Sequence, residues 1–138
     1  MRNSTNKRDN NQEKGIAGFE KLLVWQKAHS LMIEVHEICK KLPYYEHFKI
    51  KDQLERSSTS VTDIIAEGHT GHHYQDKIKS FNVAKKEAGA SQNHIRTLQT
   101  KGYITEDQAD DIIVRYEEVI RGINGYINWV REKKGTKK

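Results

Sequence analysis

Val24, Ala28, Leu31, Val35, Ile38 and Leu42 recur at alternating steps of four and three residues, the spacing that gathers apolar side chains on one stripe of a helix. The pattern predicts a first helix over about 22–42, widened at one edge by Trp25, Met32 and Cys39. Pro43 stops it, because a proline ring keeps the preceding residue out of helical geometry. A second run, about 48–67, turns Ile50, Leu54, Val61, Ile64 and Ile65 inward with Ser57 and Ser58 between them. Gly68 is expected to supply its left-handed exit. A third run, about 74–101, buries Ile78, Phe81, Ala84, Ala88, Ile95 and Leu98. Its small cluster Ala88, Gly89, Ala90 and Ser91 predicts close approach to a neighbour, and Gly102 ends it. Thr105 with Gln108 three residues on forms a capping box. Glu106, Asp107 and Asp110 suit the positive end of the helix that follows. That fourth helix carries Ile112, Tyr116, Val119, Ile120, Ile123, Ile127 and Val130 on one face.

Short connections make successive helices antiparallel, so the chain reads as an all-α, up-down-up-down four-helix bundle over residues 16–132. Residues 1–15, rich in Asn and charge and poor in apolar groups, read as a disordered arm. Residues 133–138 read as a basic C-terminal tail, and no internal repeat is evident.

Composition narrows the setting. At 138 residues the chain is one domain with room for a sizeable core, and its single proline suits helices better than a sandwich of many turns. Its one cysteine, Cys39, excludes an internal disulfide and fits a reducing compartment. No apolar run approaches the roughly 20 residues of a membrane helix, and the start has basic residues without the apolar core of a secretion signal. The expectation is a soluble cytoplasmic protein with no membrane partner.

The net charge of +5 is unevenly placed. Residues 69–101 hold six basic and two acidic groups with four of the seven histidines, whereas residues 105–130 hold two basic and six acidic. The two termini add further positive charge. Such polarity attracts phosphates, and equally it describes a solvated surface with solubilising ends.

Candidate chemistry is sparse. His69, His72 and His73 are the obvious metal ligands, but they sit in a glycine-containing loop without a cysteine or a further ligand at set spacing. A polar bundle corner, partly protonated and able to meet phosphate below neutral pH, is the better reading. Asp63 and Glu67, one turn apart, have no nucleophile, metal set or phosphate loop beside them, so they read as a solvated edge. Lys79, Lys86 and Asn93, spaced by sevens and joined by Gln75, Asn82 and Thr97, line an outer stripe of the third helix. Lysine–amide strips contact phosphates and nucleic-acid edges; ordinary wet helix faces look the same. Gly122, Gly125 and Trp129 lie away from the apolar seam of the fourth helix. Each interior glycine costs about 1 kcal/mol relative to alanine, which suggests packing against another protomer with Trp129 as anchor.

The segment Phe19-Glu20-Lys21-Leu22-Leu23-Val24-Trp25-Gln26-Lys27-Ala28 resembles the FEDLxVWQKA opening of a bacterial four-helix-bundle family. Its members are the intervening-sequence proteins of large-subunit ribosomal RNA genes, with the accessory variability determinants of diversity-generating retroelements as relatives. Gln53-Leu54-Glu55-Arg56-Ser57, Ser60-Val61 and Ile65-Ala66-Glu67-Gly68 are similar to the family's QLxRS, SI and NIAEG elements. Ala84-Lys85-Lys86-Glu87-Ala88 and Gly102-Tyr103-Ile104 resemble its KEA and GYI segments. The resemblance implies a homo-oligomer, a pentameric barrel of bundles, without enzymatic activity; the residues themselves call for no metal or cofactor. It also implies association with RNA or DNA and, in the retroelement branch, with a reverse transcriptase and its template RNA. On that reading Lys79, Lys86, Arg96, Lys101, Lys133, Lys134, Lys137 and Lys138 supply phosphate contacts, and Trp25, Gly122, Gly125 and Trp129 the contacts between protomers. The alternative is a protein-interaction scaffold that binds no nucleic acid.

Overall fold

Helix after helix follows the predicted stripes. The computed structural model describes residues 18–137, with side chains through Lys134. A short 3-10 turn over Gly18–Lys21 precedes α1 (Leu23–Lys40), and a second, Tyr44–Glu46, precedes α2 (Ile50–Thr70). Then come α3 (Tyr74–Thr100) and α4 (Glu106–Lys137). No strand occurs among the described residues. The arm at 1–15 and Lys138 lie outside them.

Each helix packs on its neighbours in sequence, and α4 closes back on α1. Cross-helix contacts give the directions. Thr59 meets His36 and Thr62 meets Met32. Lys85 meets Asn124, Gln92 meets Glu117, and Arg96 meets Asp110. Arg115 meets Glu34, and Lys27 meets Glu118. Numbers rise on one helix as they fall on its partner, so these neighbours run antiparallel. Between them the predicted stripes meet in one core of Leu31, Val35, Leu54, Val61, Ile65, Phe81, Ile95, Leu98, Val119 and Ile123, all fully buried. Ile38, Ile64, Ile78 and Ile120 are only partly buried at its margin.

The helix ends show where local chemistry was read well and where it was not. The capping box forms as expected: the Gln108 amide donates to Thr105 Oγ1 at 3.1 Å, and the Thr105 amide to Gln108 Oε1 at 2.9 Å. Gly102, at φ 86°, takes the left-handed position after α3, and the Tyr103 amide reaches back to the Leu98 carbonyl at 2.9 Å. Gly68 does not play the same part. It lies inside α2, buried, and a Cβ there would stand 2.8 Å from Phe81 Cε1 and 2.9 Å from Ser80 Cβ. The glycine is there to let α2 and α3 touch; α2 ends at Gly71, whose backbone is extended.

The small cluster of α3 is likewise divided. Ala88 and Ser91 are buried, and the Ser91 hydroxyl pairs with that of Ser57 at 2.8 Å across the α2–α3 seam. Gly89 faces open space, with nothing within 4 Å of an added Cβ. At its far end α4 runs on to Lys137, so the basic C-terminal segment continues the helix through that residue.

Two polar groups of the interior stand out. Glu46 is 2% exposed, and its carboxylate accepts from Lys101 Nζ at 2.7 Å and the Tyr103 hydroxyl at 2.8 Å. Those partners hold its pKa below the usual carboxylate range, the lysine most of all. The α1–α2 connection is thereby tied to the α3–α4 turn. Among the described residues the buried Tyr116 hydroxyl has no hydrogen-bond partner of good geometry, and burial pushes its pKa up against the opposing pull of Ser91. An unsatisfied buried hydroxyl costs about 1–3 kcal/mol. Tyr116→Phe should therefore stabilise the protein by about 1 kcal/mol, read as a higher midpoint in urea with an unchanged slope.

Candidate functional site

Where α2 hands over to α3, the far end of α4 comes alongside, and a cleft of about 550 Å³ opens between them. The last turn of α2 brings His69, the connection brings His72 and His73, and the first turn of α3 brings Tyr74 and Lys77. Tyr126, Trp129, Val130, Lys133 and Lys134 come from α4. No acidic side chain lines it.

Its back wall is closely packed. The Tyr126 ring stacks on buried Phe81 with centroids 4.3 Å apart, and its hydroxyl lies 3.4 Å from His69 Nδ1. Lys77 Nζ donates to the His69 carbonyl at 2.7 Å and the Gly68 carbonyl at 3.3 Å, closing the orphan acceptors of α2. The front is looser. Trp129 is 51% exposed, with Lys133 Nζ 5.4 Å above its ring, while Lys134 Nζ sits 5.2 Å above Tyr74.

Burial, and then Lys77, lower the pKa of His69, which disfavours its protonated form at this corner. Burial and then Arg56 do the same to His94, against a weaker opposing pull of Glu87. A histidine whose folded pKa lies below its unfolded value leaves the unfolded chain binding more protons in between. Stability is then full above the ordinary value of 6.5 and drains as pH falls toward the folded values. The thermal midpoint should therefore drop from pH 7.5 to about 5.5, above the range where carboxylates titrate. His94→Gln should remove part of that drop.

The other expected phosphate contacts divide. Lys79 and Lys86 are exposed on the outer face of α3 and meet no acidic partner among the described residues. Arg96 is taken up inside the protomer, bonding Asp110 at 2.9 Å and Gln99 at 3.0 Å. Lys101 is bound to Glu46, as above. A charge already matched by a carboxylate has less to offer a phosphate, so both are weaker candidates for that role than Lys79 and Lys86. The side chain of Lys137 and all of Lys138 lie outside the described residues.

The four expected interface residues also part company. Gly122 serves its own protomer: a Cβ there would stand 3.1 Å from Val24 Cγ2, so the glycine lets α1 and α4 meet. Trp25 stacks on His29 at 4.6 Å, sits edge-on to Phe19 at 5.1 Å, and packs against the core. Gly125 is open, with nothing within 4 Å of an added Cβ. It shares an outer strip of α4 with exposed Val114 and Trp129, eleven and four residues away and so close in helical phase.

Asp63 and Glu67 lie exposed on α2. Among the described residues no three His, Cys, Asp or Glu side chains converge to hold a metal ion, and no helix is long and apolar enough to cross a membrane. Sequence reasoning passed over Tyr74, Lys77 and Tyr126. The signal was present: Tyr126, Trp129 and Lys133 follow helical spacing and fall on one side of α4.

The chain is similar to known proteins over most of its length. The family described as 23S rRNA-intervening sequence protein matches residues 20–125. A crystal structure of a protein of unknown function, from the S23 ribosomal protein family in Bacteroides thetaiotaomicron, is 25% identical with a TM-score of 0.71. The alignment covers 77% of this chain and 96% of that one. No curated protein matches. A family match spanning every motif from Glu20 to Gly125 is decisive: the chain belongs to the 23S rRNA-intervening sequence proteins.

Proposed function

We propose that this protein is a non-enzymatic, homo-oligomeric cytoplasmic scaffold that binds RNA. One observation carries the reading: exposed lysines on α3 and at the far end of α4 stand without acidic partners among the described residues. Lys79 and Lys86 on α3, and Lys133 and Lys134 over aromatic rings, meet no carboxylate among the described residues. Three of the acids of α4 are instead engaged: Asp110 by Arg96, Asp111 by Arg115, and Glu118 by Lys27. Lysines left without carboxylates in this way are where a polyanion gains by releasing counterions. The family's description, which refers to an intervening sequence of 23S rRNA, favours RNA over DNA as the polyanion.

The antiparallel contacts between sequence neighbours support an up-down-up-down bundle as the protomer. The strip of Val114 and Gly125 supports self-association into a barrel of bundles, because an interior glycine with no intramolecular contact has a use where another backbone approaches. Trp129, the last residue of that strip, we assign to the end cleft. Accessory service to a reverse transcriptase, with RNA as the shared template, is a role such a scaffold suits.

The test is fluorescence anisotropy of a labelled single-stranded RNA titrated with the assembled protein between 50 and 200 mM salt. Binding should weaken steeply as salt rises, with a log–log slope of about −0.7 per neutralised phosphate. Absence of binding at the lowest salt would overturn the reading and leave a scaffold for proteins alone. Light scattering checks the assembly, and a monomer would remove that part.

A further inference from the structure

The geometry points to the end cleft as a single-stranded RNA site, in which Trp129 stacks on one base while Lys133 and Lys134 exchange their ring contacts for phosphates. The inference rests on the reading of the protein as RNA-binding and adds where and in what form the RNA is held.

Three features select this ligand. The cleft offers aromatic faces beside unmatched cations with no carboxylate among them, which is the pairing that single strands use: rings for bases, lysines for the backbone. It is concave, about 550 Å³, in the range of sites that enclose a small ligand. A splayed nucleotide can enter it, whereas a duplex keeps its bases stacked inside and presents only its outer surface. The third feature is the division between wall and front. Tyr126 is fixed by Phe81 and His69, and Lys77 is spent on the α2 carbonyls. Trp129 is half exposed, and the two lysines rest on rings by cation–π contacts alone, which are weak at exposed sites. Lysines already standing over the rings need only swing aside to meet phosphates, and in doing so Lys133 uncovers the Trp129 face. The first amides of α3, whose N-cap His73 makes no side-chain cap, open near the same place.

The chain has two tryptophans, so Trp25→Phe leaves Trp129 as the sole reporter. Titrating that variant with a single-stranded uridine hexamer should quench its emission, and a duplex of equal length should quench it little. Trp129→Ala should weaken hexamer binding by about 5- to 150-fold, the loss expected for one stacked base, with the salt slope unchanged; Trp129→Phe should retain most of the affinity. Lys133→Ala with Lys134→Ala should instead reduce the slope by about 1.4, two phosphates at 0.7 each. Light scattering of each variant should show an unchanged assembly.

If the hexamer binds without quenching and Trp129→Ala binds equally well, RNA is held elsewhere and the cleft is excluded while RNA binding stands. Failure of every RNA to bind any variant or the parent removes the broader reading, and this one with it. Dispersal of the assembly by Trp129→Ala, rescued by no added RNA, would place Trp129 between protomers and overturn the assignment.

Discussion

Gly68→Ala is expected to destabilise the protein by about 1–2 kcal/mol, and Gly89→Ala to stabilise it by up to about 1 kcal/mol, though both glycines lie inside helices. Helix propensity alone predicts a gain of nearly 1 kcal/mol at each site. The neighbours decide the sign. At Gly68 the new methyl would meet the Phe81 ring at 2.8 Å and the Ser80 Cβ at 2.9 Å, and neither can step aside. Phe81 is fully buried and clamped by its stack on Tyr126, and Ser80 Cβ moves only with the α3 backbone. Overpacking of this kind costs about 1–3 kcal/mol, which outweighs the propensity gain. At Gly89 there is nothing to strike. Urea melts of the two variants read the split directly. Phe81→Leu should recover part of the Gly68→Ala loss while being destabilising alone; equal stabilisation by both alanines would refute the close α2–α3 contact.

The same pair marks how far the sequence could be read. The stripes from Val24 to Leu42 and from Ile112 to Val130 need only the helical period, so the elements and the core were legible in it. The capping box at Thr105 was legible because both partners lie within four residues. What failed was any feature whose meaning depends on a partner far along the chain. Gly68 looks like a helix exit until Phe81, thirteen residues on, is known to lie over it. Glu46 carries no signal in sequence, because its partners Lys101 and Tyr103 come from the opposite turn. Gly122 looks like an interface residue until Val24 fills the space beside it. The cleft is another case. Its histidines and its C-terminal lysines are each visible in sequence, but only the return of α4 brings Trp129 and Lys133 over the α2–α3 corner.

That pairing of charges also sets apart lysines and arginines that look alike in sequence, and the second large effect follows from it. Lys79→Glu with Lys86→Glu is expected to weaken single-stranded RNA binding by about 10- to 100-fold at 50 mM salt; the corresponding alanines should flatten the salt slope by about 1.4. Arg96→Gln and Lys101→Gln should leave that slope unaltered, because each cation already faces a carboxylate 2.9 Å or 2.7 Å away. Their cost should appear in stability. Lys101→Gln strips the charged partner from a carboxylate that is 2% exposed, so it should lower the thermal midpoint more than Arg96→Gln, whose pair with Asp110 is open to solvent. Anisotropy and melting curves on the same four proteins separate the two classes. If all four substitutions flatten the slope alike, the internal pairs do not withhold their charge. If none does, the α3 face is not where RNA lies, and the cations around Trp129 must account for the binding alone.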